Sequence, residues 1–144
     1  MAGYSGTPLP KKLGIKPGFE VAFANAPEDF VKQLDLPSDV NVRSLAKARD
    51  LDFILVFVKS QKILTTAFAQ YSPKIKPDGM FWVSWPKKTS GVQTDVTENI
   101  VRDVGLAAGL VDVKVCAIDD VWSGLKFVYR LKDRGSLNLP QSRR

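Results

Sequence analysis

A chain of 144 residues with 44% hydrophobic and 25% charged side chains has the size and balance of one domain around a single apolar core. Its lone cysteine, Cys116, excludes an internal disulfide and any multi-thiolate zinc site, and the absence of histidine removes the commonest metal ligand and every histidine-dependent catalytic dyad or triad. A formal charge of +6 favours anionic partners in general, while the lack of both an apolar run of roughly 18 residues and a basic-then-apolar leader sets the expectation of a cytoplasmic protein.

In chain order, residues 1–12 are rich in Gly, Pro and Ser/Thr and read as an irregular arm, followed by a turn at Leu13-Gly14-Ile15-Lys16-Pro17-Gly18. Phe19 to Asn25 is apolar and partly alternating, which predicts the first strand. Pro27 suits the first turn of a helix, where its missing N–H costs nothing, with Phe30, Val31 and Leu34 on one face. Pro37-Ser38-Asp39 breaks that helix; Val40 to Leu45 then predicts a short second strand, and the basic stretch around Lys47 and Arg49 a loop. Asp52 to Val58 is a nearly unbroken apolar run, as expected of a central strand covered on both faces.

Ser60 predicts the cap of a helix carrying Ile63, Leu64, Ala67, Phe68 and Tyr71 at helical spacing, ended by Pro73 and Pro77-Asp78-Gly79. A buried strand, Met80 to Trp85, and a polar loop, Pro86 to Gln93, follow. Thr94 or Asp95 is expected to cap a second long helix, with Asp95 and Glu98 at capping-box spacing, Val96, Ile100, Val101, Val104 and Ala108 facing inward, and Gly109 at the stop. Val111 to Ile118 and Leu125 to Leu131 read as strands whose connection, Asp119 to Gly124, is too short for a crossover, so the pair is antiparallel. The domain is thus expected to span 13–131, with a polar, basic tail over 132–144. The order β-α-β-β-α-β-α-β-β implies a Rossmann-like α/β fold: a mostly parallel sheet, strand order 2-1-3-4-6-5, with a C-terminal antiparallel hairpin.

Leu13 to Gly18 leading into the first strand, Leu51 to Trp85 with its Lys76-Pro77-Asp78-Gly79 turn, and the reversed terminal hairpin together resemble the class I methyltransferase fold, from Leu13 to Arg130. The stretch between the first and central strands is shorter than in that fold by about a strand and a helix. A closer resemblance, over nearly the whole chain, is to a family of small bacterial proteins classed as a domain of unknown function. It rests on Ala2-Gly3-Tyr4-Ser5-Gly6-Thr7-Pro8-Leu9, Trp85-Pro86-Lys87-Lys88, Ser90-Gly91, Gly109-Leu110-Val111-Asp112, Lys114-Val115-Cys116 and Trp122-Ser123-Gly124-Leu125. It implies a family and brings no activity with it.

Methyltransferases of this fold hold S-adenosylmethionine with a glycine-rich turn after the first strand, because glycine lets the backbone approach the ligand. Here the turn is Asn25-Ala26-Pro27-Glu28. Proline withdraws a donor N–H, and Glu28 and Asp29 put negative charge at a helix start that would otherwise favour an anion. The acidic residue that would follow the second strand and bind the ribose is missing from Arg43 to Ala46. The resemblance therefore implies the fold of the enzyme without its grip on the methyl donor, a pseudoenzyme acting as a binding or interaction domain. No cofactor, no metal and no catalytic residue is assigned.

In an open parallel sheet ligands sit beyond the carboxyl ends of the strands, near the point where strand order reverses. That rule singles out Asn25, Ala26, Lys59, Ser60 and the stretch Trp85 to Gly91. Lys87, Lys88, Thr89, Ser90 and Gly91 stand before a helix start and offer ammonium, hydroxyl and N–H groups to an anionic small molecule; the alternative is a solvated loop with routine lysines. A small enzyme acting on an anionic metabolite would hold it with Lys87 and Lys88 and orient it with Asn25 or Ser60. Trp82 and Trp85 point to opposite faces of one strand, Trp85 either as core or as a stacking surface. Trp122, in the hairpin turn, covers the sheet end, a protein partner or its own domain. Cys116 reads as a small hydrophobe with no histidine to activate it. Asp119 and Asp120 suit the turn's own hydrogen bonding better than a hard-cation site, for want of a third carboxylate. Nucleic-acid binding would need Lys11, Lys12, Lys74, Lys76, Lys87, Lys88 and the tail to form one continuous basic face.

Overall fold

The computed structural model describes residues 7–131 and 133, so the first six residues of the arm and almost all of the basic tail lie outside the described residues. In chain order it contains α1 (Leu9–Leu13), β1 (Glu20–Ala24), α2 (Phe30–Gln33), β2 (Asn41–Val42), β3 (Leu51–Phe57), α3 (Gln61–Tyr71), β4 (Ile75–Pro86), α4 (Glu98–Ala107), β5 (Leu110–Ala117) and β6 (Trp122–Tyr129). Single 3-10 turns occupy Ser72–Lys74 and Lys88–Ser90. The strands form one sheet in the order β2-β1-β3-β4-β6-β5. β1, β2, β3 and β4 run parallel, β6 is antiparallel to β4, and β5 is antiparallel to β6. The expected α/β architecture, strand order and reversed hairpin are all present.

β3 is central because its apolar run buries both faces of the sheet at once: Phe53, Ile54, Leu55 and Val56 are each 0% exposed. On one face Ile54, Val56, Phe81, Val83, Leu125 and Phe127 meet α3 and α4 through Leu64, Phe68 and Val101. On the other, Phe53, Leu55, Phe57 and Trp82 lie with Leu13 and, at the margin, Phe30 and Leu36. Each large side chain buried this way contributes about 1.5–3 kcal/mol.

Several elements differ from expectation, each for a physical reason. The arm is not wholly irregular: Leu9–Leu13 form a helical turn, ended by Gly14 in the left-handed region and anchored by fully buried Leu13. α2 is a single turn that buries no residue completely, and Asp29 precedes it at φ 66°, so Pro27 lies outside the helix rather than at its start. β2 shrinks to two exposed residues. They are held from β1 by Glu20, whose carboxylate accepts from Asn41 Nδ2 and from Arg43 Nη1, both at 2.6 Å. Those hydrogen bonds, Asn41's first and then Arg43's, hold its carboxyl below the ordinary glutamate range.

β4 begins at Ile75 rather than Met80, because Pro77-Asp78-Gly79 continues as an irregular strand with a register shift against Leu51 and Phe53. A β-carbon on Gly79 would stand 2.9 Å from the Leu51 carbonyl oxygen, so glycine lets the two backbones approach there. α4 starts at Glu98 under a Thr97 cap instead of under Thr94 or Asp95, because those two side chains are committed elsewhere. Thr94 Oγ1 donates to the Lys59 carbonyl at 2.7 Å, and Asp95 Oδ1 accepts from the Gln61 N–H at 2.9 Å, so Asp95 caps α3. Ala108, expected inward, is exposed, as is Ile63 of the apolar set on α3. Trp122 opens β6 opposite Pro86 instead of lying in the turn.

One buried polar atom has no partner among the described residues, Oγ of Ser84, a β4 residue that is 0% exposed. A lone buried hydroxyl forfeits its hydration without compensation. Ser84→Ala is therefore expected to stabilise the protein by about 1 kcal/mol, seen as a higher urea midpoint at unchanged slope. A lower midpoint would mean that the hydroxyl is satisfied in solution.

Candidate functional site

The carboxyl ends of β1 and β3 lie side by side, and the side chain that joins them is Asn25. It sits at φ 59°, a left-handed conformation that asparagine tolerates better than most residues. Its Nδ2 donates to the Phe57 carbonyl at 3.4 Å. Beyond this edge opens a cleft of about 530 Å3, lined by Phe57, Ile63, Val92 and Trp122 together with the polar Asn25 and Lys59. Phe57 and Trp122 meet edge to face at 5.0 Å. A second cleft of about 610 Å3 is lined by Trp85, Lys87 and Lys88 with Thr94, Thr97 and Glu98. Val92 lines both, so the two adjoin.

The residues singled out in the sequence are thus distributed. Asn25 and Lys59 share the first cleft, and Trp85, Lys87 and Lys88 share the second. Ala26, Ser60, Ser90 and Gly91 line neither. Ala26 packs against the core on the α1 side. Ser60 Oγ accepts from the Ile63 N–H at 3.1 Å, which caps α3 as expected. Ser90 Oγ donates to the Lys87 carbonyl at 2.6 Å and accepts from the Val92 N–H at 3.1 Å, while Gly91 turns the chain at φ 78°; both shape the loop.

Both long helices have part of their amino terminus already capped. At α3 the Gln61 N–H is taken by Asp95 and the Ile63 N–H by Ser60. At α4 Thr97 Oγ1 accepts from the Ile100 N–H at 3.4 Å, and Glu98 adds a carboxylate to the first turn. An anion would have to displace one carboxylate and face another, so helix-end binding is weakened at both.

The two tryptophans of β4 do face opposite ways. Trp82 lies in the α1-side core, its Nε1 donating to the Leu13 carbonyl at 3.0 Å. Trp85 lies in the core under α3 and α4, 6% exposed, and also lines the second cleft. Trp122 is 8% exposed and lines the first cleft, a role its neighbours in sequence do not announce. Cys116 is half-buried; burial pushes its thiol up, and Lys12 and Lys114 pull the other way. Asp119 Oδ1 accepts from the N–H groups of Val121 and Trp122, the turn bonding expected of it. Among the described residues no three His, Cys, Asp or Glu side chains are grouped to hold a metal, and no helix is long and apolar enough to cross a membrane.

Of the lysines proposed for nucleic acid, Lys74 and Lys76 stand apart from Lys87 and Lys88, and the tail lies outside the described residues. Lys74 donates to the Ala48 carbonyl and Lys76 pairs with Asp52 at 2.9 Å near the start of β4, whereas Lys87 and Lys88 follow its far end.

Strand order, helical crossovers and the reversed hairpin make this the Rossmann-like fold of methyltransferases. A methyltransferase from Aquifex aeolicus dependent on S-adenosylmethionine is similar over 81% of this chain and 85% of its own, with a TM-score of 0.62 and 15% identity. Magnesium protoporphyrin IX methyltransferase from Synechocystis PCC 6803, with bound SAH, gives 0.54 and 11% identity over 79% of this chain and 75% of that one. Fibrillarin from Aeropyrum pernix, with natively bound S-adenosylmethionine, gives 0.53 and 10% identity over 88% and 70%. No protein-family model matches the chain, and no curated protein matches it in sequence.

Proposed function

We propose that this chain is a non-catalytic binding domain on a methyltransferase scaffold, with the cleft beyond β1 and β3 as its ligand site. The observation that carries the reading is the turn after β1. There Asn25 and Asp29 take left-handed conformations, Pro27 supplies no N–H, and the helix that follows is a single turn. Such a turn has neither the donors nor the close backbone approach that a nucleoside bearing a charged tail requires. The arm of β2 does not replace them, since Arg43 at its end is paired to Glu20.

The cleft itself is apolar with one amide and one ammonium at Asn25 and Lys59, which suits a small apolar molecule carrying an acidic group. On the motifs at Ala2 to Leu9 and Trp122 to Leu125 we place the chain beside the small bacterial family of unknown function. A single cysteine with nothing to pair fits the reducing cytoplasm.

Isothermal titration with S-adenosylmethionine tests the reading. The expected result is no saturable heat up to about 1 mM ligand, where a binding free energy of only about 4 kcal/mol would register. Micromolar saturation, or methyl transfer to any acceptor, would overturn it.

A further inference from the structure

We propose that the sheet face beneath α1 carries a binding site for a phosphoryl group, centred on Lys126 and built by Lys12, Lys16 and Lys114. It is separate from the clefts at the strand ends and does not rest on the reading of them.

The site follows from strand register. Lys126 in the middle of β6 stands directly opposite Trp82 of β4 on one side and Lys114 of β5 on the other. Residues directly opposite on antiparallel strands project to the same face. Trp82 belongs to the α1-side core, so both lysines project beneath α1. The arm then brings in two more. Lys114 Nζ donates to the Lys12 carbonyl at 2.9 Å, and Lys12 Nζ donates to the Ala117 carbonyl at 3.2 Å, a reciprocal clasp that fixes both ammonium groups. Lys16 follows in the turn after Gly14, close enough to act on Lys126 electrostatically.

Lys126 is recessed between its neighbours and has no acceptor among the described residues. No aspartate or glutamate occurs in residues 1–6, 132 or 134–144, so no undescribed carboxylate side chain supplies one. Burial, and then the charges of Lys114 and Lys16, push its ammonium below the ordinary lysine range. Like charges directly opposite one another in a sheet destabilise it, and a half-desolvated ammonium without an acceptor adds to the cost. A compact dianion offsets both by supplying acceptor oxygens to several fixed ammonium groups. A partly buried central lysine suits one compact tetrahedral group better than an extended polyanion, which would follow protruding side chains.

The test is titration with inorganic phosphate at constant ionic strength, followed by the thermal midpoint and by phosphorus NMR line width. Wild type is expected to show a saturable rise in midpoint and saturable broadening. Lys126→Met is expected to melt no lower than wild type without phosphate, since a like-charge contact is gone, and to lose about tenfold or more in phosphate affinity. Lys114→Met is expected to show the same loss of phosphate affinity, read on its own melting baseline, should Lys126→Met fail to fold. A nucleoside monophosphate binding no tighter than phosphate points to free phosphate as the natural occupant, and tighter binding to a phosphate ester; both support the site. No saturable response in wild type, or variants that bind phosphate as well as wild type, would overturn it. So would Lys126-dependent capture of a single-stranded oligonucleotide without any response to phosphate.

Discussion

Trp82→Ala is expected to lower the stability of the fold by about 4 kcal/mol, the largest loss of any single truncation considered, because one side chain is at once core and latch. The ring is 0% exposed in the α1-side cluster, and a β-carbon at Gly124 would already come within 3.3 Å of its Cε3 atom, so the surroundings are closely fitted. Its Nε1 also satisfies the carbonyl of Leu13, the last residue of α1, from 69 positions away in sequence. Truncation to alanine leaves both a cavity and an unpaired buried acceptor. Trp82→Phe separates the two effects. It keeps much of the volume and removes the donor, so its cost is expected at about 1–3 kcal/mol, with faster amide exchange at Gly14 and Ile15 as the arm loosens. Urea unfolding and native-state exchange measure both. A Trp82→Phe protein within about 0.5 kcal/mol of wild type, with the arm still protected, would show that packing alone holds it.

That latch also shows which parts of the molecule are readable from the chain. β3, α3 with its Ser60 cap, the strand order and the terminal hairpin depend on patterns confined to a few neighbouring residues, and periodicity finds them. The helical spacing of Phe30, Val31 and Leu34 predicts a longer α2, and Val40 to Leu45 a longer β2, yet only one helical turn and two strand residues form. Thr94 and Asp95 carry the local signature of a cap for α4, but their partners are Lys59 and Gln61 at the start of α3. Local chemistry was right about the residue type and blind to the helix it would serve.

The same limit governs the site. The strand-end rule leads to Asn25, Lys59, Trp85, Lys87 and Lys88, which line two adjoining clefts. It does not reach Trp122 or Val92, which arrive from later strands and loops, and it overrates Ser60 and Ser90, whose hydroxyls serve their own backbone. Grouping lysines by adjacency, as in Lys87-Lys88 or Lys11-Lys12, misses the quartet under α1, whose members come together only through the register of β5 against β6 and the fold-back of the arm.

Gly105→Ala is expected to destabilise the protein by about 2 kcal/mol, although alanine is favoured over glycine inside a helix by about 1 kcal/mol. The opposing term is steric. A β-carbon at Gly105 would stand 2.1 Å from Cε2 of Phe127, a ring that is 0% exposed and pinned edge to face against Phe68 at 5.1 Å. Overpacking a filled core costs about 1–3 kcal/mol, and a clash this deep with a ring that has nowhere to turn belongs at the upper end. Gly109 makes the contrast: nothing lies within 4 Å of its missing β-carbon, and its constraint is the φ of 95° at the end of α4. The cause is checked by a double-mutant cycle. Phe127→Leu shortens the obstructing ring, so the pair is expected to show a favourable coupling of about 1 kcal/mol or more in urea unfolding. A higher midpoint for Gly105→Ala alone would mean that α4 rides farther from the sheet than 2.1 Å allows.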